Sequence, residues 1–166
     1  MYISNILSHP SNSNNKALNQ LLKEIDLHRT YPPDYLMPLF YLIKYNNING
    51  IKMLAEIKDF NKNETDETGE TALMYAIKNF SNNEKLIEQL LSSGVVNING
   101  FNHEDINPLI YAIKQNNIDL IKLLLKYNPK INIENQKKVS PVKIAVIEKK
   151  IEILKLLINN TKKNKD

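Results

Sequence analysis

The chain has 166 residues, 42% of them hydrophobic, with a formal net charge of +4 and no cysteine. That length suits one ordinary domain burying about two thirds of its unfolded surface, and the missing cysteine excludes disulfides, a thiolate nucleophile and a Cys-containing zinc site. Residues 1–10 show neither a basic n-region nor a long apolar core, and no apolar run approaches the roughly 20 residues that cross a bilayer. The expectation is an unsecreted, non-membrane protein of the cytoplasm, with a host cytosol also open. Twenty-five asparagines and 21 lysines against one arginine, Arg29, mark a composition in which a lone asparagine or lysine carries little weight.

In chain order, Ile3, Ile6 and Leu7 can supply a stunted first helix. Leu18, Leu21, Leu22 and Ile25 form an apolar stripe that predicts a helix from about Asn15 to Leu27. The segment from Arg29 to Asp34 contains Tyr31-Pro32-Pro33 and reads as a stiff extended linker. Four segments then align: Met37-Pro38-Leu39, Thr71-Ala72-Leu73, Asn107-Pro108-Leu109 and Ser140-Pro141-Val142, their last members 34, 36 and 33 residues apart. Each opens an apolar pattern with Leu42, Ala76, Ala112 or Ala145 three places on. A second pattern follows, at Ile51 and Leu54, then Leu86 to Leu91, Leu120 to Leu125 and Ile151 to Leu157. Spacings of one, three and four place these residues on one face of a 3.6-residue helix, so each unit reads as two short helices. Thr71, Asn107 and Ser140 are candidate helix caps, and Pro108 and Pro141 suit a first helical turn, where their missing N–H is no loss.

With its Thr-Pro-Leu-like first-helix starts, central alanines, leucine-rich second helices and polar hairpins, the chain resembles the ankyrin repeat family over about residues 33–159. Asp66, Gly69, Thr71, Leu73 and Ala76 carry the nearest match, with Gly94 at the family's glycine after the second helix and Asn128 in that place one unit later. Asn99 and Asn132 fall where the family has an asparagine eight residues before the next threonine. Departures are about two extra residues within Asn79 to Glu84, a hairpin about one residue longer before the next unit, and Asn46, Asn116 and Lys138 at positions usually held by glycine. The resemblance implies an all-α solenoid of helix pairs joined by hairpin loops. Its expected parts are a degenerate capping repeat over 1–30, four repeats over 31–160 (about 34–66, 67–102, 103–135 and 136–160) and a frayed basic tail over 161–166.

In such a fold, function comes from the exposed side of each first helix, lining a concave groove, and from the hairpin tips. Lys44, Lys78 and Lys114 each lie five residues after the aligned leucine and are expected to form a row about 10 Å apart, suited to an acidic or phosphate-bearing partner. Ile147 breaks the row. The hairpins offer the opposite sign, with Glu64, Asp66, Glu67 and Glu70 clustered around one and Asn102, His103, Glu104 and Asp105 forming the next. Phe101 either stands at the second tip as a contact anchor or packs beneath it.

Beyond residue 134 nine lysines face three acids, whereas the first 134 residues carry 13 basic and 15 acidic side chains. Nucleic acid is not the expected partner, because the chain has one arginine and no supporting motif or aromatic platform. An enzyme is not expected either: His9, His28 and His103 are scattered, and the four glycines are isolated at 50, 69, 94 and 100. No cofactor or metal is implied. The reading is a monomeric, non-enzymatic module that binds an unidentified protein or peptide, with a self-associating structural or regulatory component as the alternative.

Overall fold

The computed structural model describes residue 6 and residues 15–32, 34–58 and 60–163. The chain divides into two compact units, Met1–Asn97 and Ile98–Asp166. Among the described residues the secondary structure is helical, broken only by isolated bridges at Tyr31–Leu36 and Thr65–Thr71.

In the first unit, α1 (Asn15–Glu24) is followed by the pairs α2 (Pro38–Lys44) with α3 (Ile48–Ala55) and α4 (Ala72–Phe80) with α5 (Glu84–Ser93). Helix α2 packs on α3 and α4, α3 on α5 and α1, and α4 on α5. First helices therefore lie on first helices and second on second. The second unit repeats this plan with α6 (Pro108–Lys114), α7 (Ile118–Leu125), α8 (Pro141–Ile147) and α9 (Ile151–Lys163): α6 contacts α7 and α8, while α9 contacts α7 and α8.

Local chemistry sets the helix starts. Thr71, Asn107 and Ser140 accept from the backbone N–H of Met74, Ile110 and Lys143, each satisfying a donor that the helix itself cannot. The second helices use asparagine for the same task. Asn47, Asn83 and Asn117 accept from Gly50, Leu86 and Leu120 at 2.9, 3.1 and 3.0 Å, a cap of about 1 kcal/mol each. Between first and second helices the chain reverses through a left-handed residue, Asn46 (φ 52°), Asn116 (54°) or Lys149 (54°). The α4–α5 turn, which holds the extra residues, needs none of these; Ser81 there is right-handed. After the second helices Gly94 and Asn128 are left-handed, at 71° and 52°, as their place in the repeat implies. Asparagine fills these sites because its short polar side chain tolerates that region best after glycine.

Burial follows the repeat. Leu42, Ile43, Ile51, Leu54, Leu73, Ala76, Ile77, Leu86, Ile87 and Leu90 are sealed in the first unit, and Ala112, Ile113, Ile121, Leu124 and Leu157 in the second. Each large member contributes about 1.5–3 kcal/mol by leaving water. No buried side-chain nitrogen or oxygen among the described residues lacks a hydrogen-bond partner.

The ends differ from the sequence-based expectation. Helix α1 stops at Glu24 and buries Leu18 and Leu22. The stunted helix expected around Ile3 and Leu7 lies outside the described residues, although Ile6 is helical. Residues 31–36 are not a straight linker: Tyr31 N–H donates to Leu36 C=O at 2.9 Å, and Tyr35 turns the chain at φ 52°. The buried Tyr41 hydroxyl fixes this finger, donating to Tyr31 C=O at 2.8 Å and accepting from Asp34 N–H at 3.0 Å. Helix α9 continues through residues 161–163, so the backbone is helical over half of the expected tail; residues 164–166 lie outside the described residues.

Candidate interaction surface

The hairpins are built on one repeated device. Asp66 Oδ1 accepts from Thr68 N–H, Thr68 Oγ1–H and Glu70 N–H at 2.9, 2.7 and 3.0 Å. Asn102 Oδ1 accepts from Glu104 N–H and Ile106 N–H at 3.0 and 2.9 Å, and Asn135 Oδ1 from Val139 N–H at 2.9 Å. Three residues after each keystone comes a left-handed residue: Gly69 (77°), Asp105 (65°) and Lys138 (59°). An acceptor at the first position and a residue tolerating positive φ at the fourth together close the turn. Asp66 thus holds its own turn, while Glu67 stands exposed beside it.

The lysines have local partners. Lys44 Nζ lies 2.8 Å from Asp34 Oδ2 and 5.6 Å from the centroid of the Tyr45 ring. The hydrogen bond to Asp34 is the main reason its pKa is raised. Lys78 Nζ lies 3.0 Å from Oε1 of the buried Glu70. Each of these cations therefore carries a counter-ion from the preceding hairpin. Lys114 is exposed, and the residue eight places before it, which is Glu70 for Lys78, is Ile106. Lys150 reaches back to this same helix end, donating to the carbonyls of Ile113 and Lys114, the latter at 3.1 Å. A cation there complements the negative end of the α6 dipole. Nothing in the sequence pattern signalled this contact, which spans a whole repeat.

Glu64, largely shielded from solvent, meets Nδ1 of His28 and ties its hairpin to the loop after α1. In the longer α4–α5 turn, Asn79 Nδ2 donates to Tyr75 C=O at 2.8 Å and Asn83 Nδ2 to Asn46 Oδ1 at 3.3 Å. The end of α4 and this turn, Asn79 to Asn83, frame a shallow recess.

The second unit brings three of the expected contact residues together. Phe101, His103 and Asp105 line a cleft of about 420 Å³, completed by Asn102, Glu134, Asn135 and Gln136 of the next hairpin. Phe101 is half-buried rather than projecting, and His103 is exposed. The two hairpins are pinned to each other: Asn135 Nδ2 donates to Asp105 C=O at 3.0 Å and Gln136 N–H to Asp105 Oδ1 at 3.4 Å. Lys143 Nζ sits 2.5 Å from Glu134 Oε1 and 2.9 Å from Lys138 C=O. That hydrogen bond and charge hold the Glu134 carboxyl below its ordinary pKa. The cleft offers an aromatic wall, carboxylates and an imidazole on a cross-linked frame, a composition suited to recognition.

No group of three or more His, Asp or Glu side chains among the described residues is placed to hold a metal ion, and none of the helices described there is long and apolar enough to cross a membrane. No curated protein matches the chain. A family model described as ankyrin repeats (3 copies) matches residues 7–102 and again 81–166. Together the two matches take in all but the first six residues, so the chain belongs to the ankyrin repeat family, a non-catalytic scaffold for protein interaction.

Proposed function

We propose that this ankyrin module binds an extended segment of a partner protein at the hairpin cleft of its second unit. The carrying observation is the convergence of Phe101, His103 and Asp105 with Glu134 of the following hairpin around one opening. A half-buried aromatic ring flanked by carboxylates and side-chain amides suits an apolar residue beside a basic one. The ring supplies the desolvated anchor, and the polar rim supplies orientation. The internal hydrogen bonds between the two hairpins support this reading, because a cleft ordered before binding loses less entropy on association.

An acidic segment along the first helices is the weaker reading. Asp34 and Glu70 already neutralise Lys44 and Lys78, which weakens the field that would attract it. A displayed peptide library selected against the whole protein tests the choice. Selected peptides are expected to pair an apolar residue with lysine or arginine and to bind about tenfold or more weakly to Phe101→Ala. His103→Ala, at an exposed site that leaves folding intact, should weaken the same peptides. Acidic peptides indifferent to both changes but lost on Lys114→Glu would replace the cleft with the helix face.

A further inference from the structure

We infer that Lys143 is a resident competitor for the carboxylate that the hairpin cleft offers a partner, and that the cleft therefore takes a segment carrying arginine, not lysine, beside its apolar residue. This rests on the cleft reading above and narrows it to one chemistry. The two hairpins place their acids differently. Asp105 belongs to the frame: its carbonyl accepts from Asn135 Nδ2 and its Oδ1 from the Gln136 N–H, so a partner that drew it away would undo the tie between the hairpins. Glu134 instead meets a side chain, the Lys143 ammonium, at 2.5 Å. Phe101 and Glu134 share a register, each directly before the keystone of its hairpin, Asn102 or Asn135. The aromatic ring and this carboxylate therefore line the cleft one repeat apart.

Lys143 follows its cap Ser140 as Met74 follows Thr71 and Ile110 follows Asn107. Met74 and Ile110 are buried. At that register the last helix pair carries a lysine whose side chain is 52% exposed and reaches back to Glu134, itself 40% exposed. An ion pair this open to water contributes little and exchanges readily. Lys143 Nζ also donates to Lys138 C=O at 2.9 Å, so on leaving Glu134 the ammonium keeps an acceptor. The Lys78–Glu70 pair offers no such exchange, because Glu70 is buried. A partner's lysine would bring Glu134 the same group that Lys143 already holds there, and Lys143, being tethered, is present at high effective concentration. Arginine differs. Its planar guanidinium donates in parallel to both carboxylate oxygens and loses less order per hydrogen bond formed.

The probes are peptides selected against the whole protein, synthesised in pairs that differ only by arginine or lysine at the basic position. They are titrated onto the wild type, Lys143→Met, Glu134→Gln and the double variant, with melting curves to verify that each protein is folded. The wild type should prefer the arginine member about twofold to fivefold. Lys143→Met should tighten the lysine member by a similar factor and so narrow the preference. In the Glu134→Gln background the same replacement should change neither member, because there is no longer a carboxylate to compete for. Phe101-dependent peptides that lack a basic residue or bind alike with either one would overturn the inference while leaving the location of the cleft standing. So would a Lys143→Met protein that binds the lysine member no better than the wild type does. Peptides indifferent to Phe101→Ala would sink the cleft and the competitor together.

Discussion

Helices α2 and α8 are both seven residues long, both start with proline and occupy the same register of their helix pairs, yet six residues of α2 are buried and only Pro141 and Ala145 of α8. Sequence type alone does not produce this difference, since α8 is also mostly aliphatic. Helix α2 lies between α3 and α4, and its face is closed by a Phe40–Tyr75 edge contact at 5.3 Å and a Tyr41–Tyr45 stack at 6.2 Å. Helix α8 is covered on the α6 side, and its Val146 and Ile147 stand in water. In a repeat protein the energetic weight of a side chain is set by the neighbour stacked on it as much as by its own helix.

The largest effect should come from a size exchange specific to the α2–α3 pair. In the other three pairs the first helix carries Ala76, Ala112 or Ala145, and the second carries Leu86, Leu120 or Ile153 at the matching position. The α2–α3 pair reverses this with Leu42 and Gly50. A Cβ built on Gly50 would collide with the Leu42 side chain. Leu42→Ala is expected to cost about 2–5 kcal/mol and Gly50→Leu alone about 1–3. The double variant should recover most of the loss in denaturant unfolding, and additive losses would show that the two positions do not share one space.

A smaller contrast uses the register shared by Ile43 and Val146. Ile43→Val, which places the α8 residue in α2, should cost about 0.5–1.5 kcal/mol. Val146→Ala should stay within about 0.5 kcal/mol in the dilute monomer. A comparable loss at both positions would mean that α8 is better covered than its exposure indicates.

The smallest effects are those of pH, and they take opposite signs in the two helices. Burial raises the Tyr41 and Tyr75 hydroxyls, and hydrogen bonding to Asp34 raises Lys44. The unfolded chain then loses these protons first, so their contribution is full below the ordinary values of 10.0 and 10.5 and is lost as pH climbs through the raised ones. At the Tyr41 and Lys44 registers α8 has Ile144 and Ile147, which do not titrate. Its anchor is instead Lys143 on Glu134, whose lowered pKa makes that tie present above the ordinary carboxylate range and lost as pH falls through the lowered value. Melting curves against pH should show an alkaline loss that Tyr41→Phe with Lys44→Met reduces and Lys143→Met does not.

Much of this architecture was legible because it is written in spacing. The aligned leucines located the helix pairs, and Thr71, Asn107 and Ser140 announced their capping role by standing directly before a helix. Asn47, Asn83 and Asn117 carried an equally regular signal, three residues before Gly50, Leu86 and Leu120, but the abundance of asparagine concealed it. The surface was less legible. Phe101, His103 and Asp105 drew notice as an aromatic and two polar groups in one hairpin, whereas Glu134 and Gln136, a repeat away, join them only once the hairpins are packed. The counter-ions of Lys44 and Lys78 were hidden similarly, since Asp34 sits ten residues before its lysine and Glu70 eight before its own. No single offset marks the pairing.

The ties between neighbouring repeats all bridge similar lengths of chain: Asn97 to Asn63, Lys130 to Asn99, Asn135 to Asp105 and Lys150 to Lys114. A chain organised this way has no distant ends to bring together before its first stable contacts form, so conformational search is short and can begin at more than one place. Its history after folding is equally local. A proteolytic nick or a thermal opening at one hairpin loosens the adjoining helix pair first, and what remains can still zip closed from the neighbour that stayed intact.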